Sequence, residues 1–247
     1  MRPSRLFRSC VFLLLSALGM LLPAHAAMAI TPQEMVQVQA SRATSSLMML
    51  RGEGFQTRQL EILEADLGAL NKAVAELPQG SESLSKAHEE LVKQIRLGIS
   101  FGPNEEDMPW RYPSDLSLAL LAVLSEARKL AEPGQSELAA QVEYLSVQYM
   151  SRAYLGSFET AREQPDTYLG QDERKIVPAV DQELKSLSVK DNPELNKLIT
   201  RWDYLRAALV DLNSQSNTLQ SASGRPFAPL TVYRHTRSFT NQWMAKN

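Results

Sequence analysis

The residues best placed to do chemistry here are arginines on helical stripes and aromatics in proline-framed loops. Arg152 follows the apolar stripe Leu138, Val142, Leu145, Tyr149, whose steps of four, three and four make it the next seam position. A charge at a helix seam calls for a carboxylate partner, a route to water, or an anionic ligand. With Gln148 and Tyr149 in the turn before it, Arg152 is the candidate anchor for a small anionic ligand between helices. Arg42 aligns with it under the internal shift described below, but its own heptad sets it outside the Ala40/Ala43 seam. The aromatics suggest a different use. Trp110 and Tyr112 stand between Pro109 and Pro113, and Phe227 stands between Pro226 and Pro229. Such loops either cap the end of a bundle or offer an exposed patch to a protein partner.

Catalytic and metal chemistry is sparsely supplied. Cys10 is the single cysteine, and beyond the N-terminal region the histidines are His88 and His235. His88 precedes Glu89 and Glu90 and reads as a solvated helix face; His235 stands between Arg234 and Thr236. Neither has a second His or Cys at metal-ligand spacing. A Ser-His-Asp triad would rest on one lone histidine. There is no Gly-rich phosphate loop or haem-attachment motif. Glu105-Glu106-Asp107 lacks the spacing of a calcium loop and reads as solvated charge. The sequence therefore predicts neither an enzyme nor a cofactor nor a metal. A net charge of −2 gives nucleic acid no electrostatic support.

The N-terminus reads as an export address. Arg2, Arg5 and Arg8 precede the apolar run Val11 to Leu22, and Ala24-His25-Ala26 forms a small-x-small cleavage site. The run is short for a membrane span of ~20 residues. Cys10 precedes the run instead of closing it, which argues against a lipoprotein. Cleavage after Ala26 removes three arginines and no acid, moving the net charge from −2 to −5. It also removes the only thiol, which suits an oxidising envelope compartment. No later segment is apolar enough to span a bilayer, so a periplasmic protein is expected.

The remaining chain must position these residues, and its pattern is helical. Of 247 residues, 44% are apolar and 22% charged, an ordinary globular balance. The clearest stripe is Leu60, Leu63, Leu67, Leu70, Val74, Leu77, a bundle seam stopped by Pro78-Gln79-Gly80. Ser81 is the expected N-cap of the next helix. The pattern predicts helices over 32–54, 57–77, 82–100, 114–131, 136–163, 171–188, 193–219 and 229–245. Trp202 lies in the stripe Leu195, Leu198, Trp202, Leu205 and reads as core; Trp243, in the last turn of the final helix, reads as closing the second bundle.

The second four helices look like a copy of the first. A shift of 110 puts Leu67, Leu70, Val74, Leu77 on Val177, Val180, Leu184, Leu187, and Ser41-Arg42-Ala43 on Ser151-Arg152-Ala153. One extra residue enters at the following turn. Thereafter Leu84, Ala87 and Leu91 align with Leu195, Leu198 and Trp202, and each half then reaches a proline-aromatic loop. The expected fold is all-α, two tandem antiparallel four-helix bundles over 27–133 and 134–247 after a leader of 1–26. The break is expected near Pro133-Gly134.

Gln148-Tyr149-Met150-Ser151-Arg152-Ala153-Tyr154-Leu155 resembles the stretch opening the periplasmic sensor domain of type IV pilus methyl-accepting chemoreceptors. A similar domain occurs in nitrate-sensing histidine kinases. The amphipathic helix Val177 to Leu187, the Asn192-Pro193 turn and Trp202 follow the same plan. The family signature usually begins Gly-Arg-Gln-Arg, whereas this chain has Val147-Gln148-Tyr149, so the nitrate-type site does not carry over. The resemblance implies a detached, duplicated sensor-type bundle. The expected function is a soluble periplasmic binding or adaptor protein with an envelope protein partner. The alternative is a sensor-type module for a small anionic ligand, in chemosensory or two-component signalling. Expression in a bacterial host is expected to release a soluble chain starting at Ala27 or nearby, by N-terminal sequencing. An uncleaved chain held in the membrane pellet against high salt would contradict the address.

Overall fold

Alternating apolar steps of three and four resolve into helices. The computed structural model describes residues 30–102, 104, 107–156, 167–187, 194–209 and 229–245. The leader, residues 1–26, and Phe227 lie outside the described residues. The described elements are α1 Pro32–Gly52, α2 Thr57–Ala75, α3 Glu82–Ser100, α4 Tyr112–Lys129, α5 Leu138–Leu155, α6 Glu173–Ser186, α7 Glu194–Leu209 and α8 Pro229–Met244. Among the described residues there is no strand, and the fold is all-α.

Local chemistry sets most of the ends. Thr31 caps α1 by accepting from the Glu34 N–H at 3.1 Å, with Pro32 opening the first turn. Ser81 caps α3 as expected, accepting from the Leu84 N–H at 3.0 Å. α4 and α5 are separate helices, divided at Pro133-Gly134, where Gly134 takes φ +83°. Arg128 and Glu137 close this turn with two hydrogen bonds of 2.6 and 2.8 Å. The pattern predicted α5 running to 163, but it stops at Leu155. Gly156 adopts φ +75°, a left-handed C-cap that ends the helix. The part of the seventh predicted helix beyond Leu209 lies outside the described residues.

The two opening helices form the centre. α1 packs most extensively on α5, then on α2 and α4, and α5 packs on α8 and α6. α3 packs on α4, and α7 on α8. From Val36 to Leu50, α1 is buried except at Gln39, and α5 is buried almost continuously from Leu138 to Ser151. A helix buried on every side cannot be amphipathic. That explains why neither shows the clean one-sided stripe of α3 or α6. Small residues make the approach feasible: Ala40, Ser41, Ala43, Thr44, Ser45 and Ser46 on α1 are all buried.

α1 and α5 run parallel. Glu34 in the first turn of α1 reaches the backbone N–H groups of Ala139 and Ala140 in the first turn of α5. At the other end the Tyr154 ring lies against Gly52, where a Cβ would stand 2.1 Å from a ring carbon. The Tyr154 hydroxyl donates to Glu53 Oε1 at 2.5 Å. Apolar side chains from both halves join in one core around this pair.

Trp202 is 2% exposed, as its stripe predicts. Its Nε1 donates to Asp181 Oδ1 at 2.6 Å, and its ring centroid lies 5.8 Å from that of Phe239. Trp243 is also buried on α8. Trp202→Ala leaves a cavity between α6, α7 and α8, while Asp181 keeps Arg206 at 2.9 Å. The expected loss of stability is about 3–5 kcal/mol, the range for truncating a buried Trp. Urea denaturation of the two proteins measures it; a loss under ~1 kcal/mol would contradict the core placement.

Candidate functional site

Among the described residues, four places gather polar or exposed functional groups. The first reverses the sequence expectation for the two arginines. Arg152 is exposed in the last turn of α5, because the continuous burial of that helix stops at Ser151. Its stripe continues past the point where neighbouring helices cover it, so the side chain meets water instead of a seam. Arg42, expected outside its seam, is only 6% exposed. Its Nε donates to Glu143 Oε1 at 2.7 Å, and its Nη2 donates to Thr240 Oγ1 at 2.6 Å and Asn241 Oδ1 at 2.7 Å. Glu143 is 1% exposed, and the Thr240 hydroxyl also donates to it. The two arginines that align by sequence therefore occupy opposite environments.

One turn further along α1, Ser46 meets Asp66 of α2 and Tyr233 and Arg237 of α8. Both Asp66 oxygens accept from Arg237, one of them at 2.8 Å from Nη1. The Ser46 hydroxyl donates to Asp66 and lies 2.7 Å from the Tyr233 hydroxyl. Burial is the largest influence and works against the Arg237 charge, but the hydrogen bonds to Asp66 together with the charges of Tyr233, Asp66 and Glu143 outweigh it and hold the guanidinium charged. A hydroxyl beside a carboxylate suggests a nucleophile, yet Ser46 is buried and Asp66 is bidentately engaged. The chemistry available to this group is holding α8 against α1 and α2.

The third place is a cleft of about 330 Å³ between the end of α4, the start of α5 and the start of α6. Arg128, Glu137, Gln141, Tyr168, Gln171 and Lys175 line it. Arg128 is bidentate with Glu137, and its guanidinium lies 5.7 Å from the Tyr168 ring centroid. Burial opposes the Arg128 charge, and the bond to Glu137 raises its pKa above the ordinary value. The Tyr168 hydroxyl donates to Gln37 Oε1 at 2.7 Å. Gln148 touches this wall from behind, its Nε2 donating to the Gln171 carbonyl at 2.7 Å. Tyr149 is buried in the core. The predicted ligand set is thus dispersed: Gln148 behind the cleft, Tyr149 in the core, Arg42 in an ion pair and Arg152 on the surface. Sequence reasoning passed over Arg128 because a basic residue in a last helical turn is ordinary dipole compensation.

The fourth place is the proline-framed loop ahead of α4, and it splits the two aromatics. Tyr112 caps the bundle: its hydroxyl donates to the Gln94 carbonyl at 2.8 Å, and burial pushes that hydroxyl's pKa up. The Phe101 ring meets it edge-on at 5.0 Å. Gly98 provides the room, since a Cβ there would stand 2.1 Å from the Tyr112 hydroxyl. Arg51 ties the same end together, donating to the carbonyls of Gly98 at 2.8 Å and Gly102 at 3.2 Å. Trp110 points away from this rigid end, 87% exposed, with the Arg111 guanidinium 5.7 Å from its ring.

The histidines hold ordinary partners. His88 lies 2.8 Å from Asn71 Oδ1, and burial lowers its pKa. His235 packs on the Tyr204 ring at 4.4 Å. Among the described residues no group of His, Cys, Asp and Glu is placed to hold a metal, and no helix is long and apolar enough to cross a membrane. No family model matches the chain, and no curated protein or solved structure matches it.

The environments of the two arginines predict opposite mutational effects. Arg42→Met strands Glu143 in the core and is expected to destabilise by about 3–5 kcal/mol. Arg152→Met on the exposed turn is expected to stay within about 0.5 kcal/mol of wild type. Urea melts of both variants measure the contrast, and a silent Arg42→Met would contradict the buried pair.

Proposed function

We propose that this chain is an exported, non-enzymatic helical binding module that engages an envelope protein partner through the Trp110 end of its first half. The observation that carries this reading is the Trp110 side chain, 87% exposed on a loop whose next residue but one, Tyr112, is locked into the core. A large aromatic held outward on a rigid base loses little conformational freedom on binding, and Trp with Arg is the pairing enriched at interface hot spots. The N-terminal basic, apolar, Ala-x-Ala order supports export to a periplasm. An internal duplication is part of the reading. Its support is that the first helix of each half packs on the second and fourth, and the third on the fourth.

A second reading rests on the cleft at Arg128. It makes the chain a sensor-type module for a small anionic ligand, in line with the resemblance to the type IV pilus chemoreceptor domain. Its support is a polar cleft between helices in which Gln141 Oε1 is buried with no hydrogen-bond partner among the described residues. The anion anchor in this reading is the Arg128 and Lys175 side of the cleft instead of Arg152.

The test uses mature wild type and Trp110→Ala as baits on envelope extracts, with circular dichroism melts alongside. The expected result is a partner captured by wild type and reduced about tenfold or more by Trp110→Ala, the size of a hot-spot truncation, with unchanged melting. Equal capture by both baits would overturn the Trp110 reading. A thermal-shift screen with small carboxylates, nitrate and phosphate addresses the second reading, which predicts a rise that Arg128→Met removes.

A further inference from the structure

Glu34 is 2% exposed and belongs to none of the ion pairs or motifs described above. It lies in the first turn of α1, and its carboxyl crosses to the other half of the molecule. There Oε1 accepts from the N–H groups of Ala139 at 3.0 Å and Ala140 at 3.3 Å, in the first turn of α5. Among the described residues no Lys or Arg forms an ion pair with it. The titratable groups acting on it are acidic: Glu137, just ahead of α5, and Glu183 of α6. Glu137 is engaged by Arg128 of α4, and Glu183 accepts from the Ser136 hydroxyl. Tyr168, ahead of α6, also feels the Glu34 charge.

The balance at this carboxyl is unusual. Burial is the largest influence and favours the neutral acid; the two backbone N–H groups favour the anion; Glu137 and Glu183 add repulsion. The outcome is a carboxyl pushed up to about 7. Arg42, by contrast, meets a carboxylate at the same α1–α5 interface. The start of the interface is therefore joined by a titratable group with no cation to fix its charge, while its middle is joined by a paired one.

We propose that the Glu34 carboxyl is a proton-operated latch between the two halves: neutral, it holds the start of α1 against the first turn of α5; ionised, it loosens that junction. The direction follows from linkage. A carboxyl whose folded value lies above its unfolded value binds more protons in the folded chain. Its stabilisation is complete below the ordinary value of 4.5 and is lost as pH rises through about 7. Loosening the junction also moves Glu137, which holds Arg128 across the α4–α5 turn, so the wall of the cleft shifts with the latch.

The test compares amide hydrogen exchange at Ala139 and Ala140 in wild type and Glu34→Gln, each at about pH 5.5 and about pH 8.5. Taking the ratio of the two proteins at each pH cancels the intrinsic base catalysis of exchange. The expected ratio is near one at the lower pH; at the higher pH wild type exchanges about tenfold faster or more. The same ratio at both values would overturn the latch, as would faster exchange in Glu34→Gln throughout. A direct titration of the Glu34 side-chain carbon by NMR on wild type keeps the proposal testable if the variant does not fold. A midpoint near 7 supports the latch; a midpoint at or below about 5.5 overturns it.

Discussion

A helix can be buried on every side only if its neighbours approach closely and the charges it carries inward find hydrogen-bonding partners. α1 and α5 satisfy both conditions by packing parallel to one another. Small residues bring the backbones together along α1, and Gly52 gives the Tyr154 ring its place at the far end. The other helices then complete the shell around this pair, with α2 and α4 on one flank and α6 and α8 on the other. Neither half could expose its opening helix without uncovering a run of apolar surface such as Leu47, Met48, Met49 and Leu50. The two halves are thereby joined in one core.

Enclosing α1 brings charge indoors, and the structure answers it in three physically different ways. Arg42 and Glu143 neutralise each other, with Thr240 and Asn241 taking further hydrogen bonds. Asp66 holds Arg237 bidentately, drawing α8 onto α2. Glu34 has no cation paired with it among the described residues and accepts from the N–H groups of a helix N-terminus. In the first two arrangements each anion faces an arginine. The third has no such partner among the described residues, and burial pushes its carboxyl up to about 7. Buried ion pairs of this kind contribute less to net stability than to holding one arrangement, because desolvation offsets much of their attraction.

This interior leaves accessible polar and aromatic groups at the ends and edges of the bundle. The ion pairs between α1, α2, α5 and α8 engage one another inside the bundle. The cleft at Arg128 and the Trp110 loop face outward from rigid supports. At the loop, the division of labour follows from size and hydrogen bonding. The Tyr112 hydroxyl finds a carbonyl on the neighbouring helix, so its ring can be buried, whereas Trp110 on the other side of the turn has no such place.

Periodicity alone determined that the chain is helical and placed most helices to within two residues, because an amphipathic helix writes its buried face at steps of three and four. The Pro133-Gly134 break, the Ser81 cap and the burial of Trp202 were legible for the same local reasons. The environment of each arginine was not. α1 and α5 are covered on all sides, so their apolar stripes do not mark one buried face, and a heptad count misassigns what faces the core. Arg42 is buried because α8, far away in sequence, delivers Thr240 and Asn241 to it. Arg152 is exposed because its neighbours end before the stripe does. The Glu34 contact with α5 is likewise invisible locally, since an acidic residue in a first helical turn is an ordinary dipole partner. Local sequence determined where helices begin, end and turn an apolar face. Which charge meets which partner was decided only by the parallel docking of α1 on α5, which joins residues about a hundred positions apart.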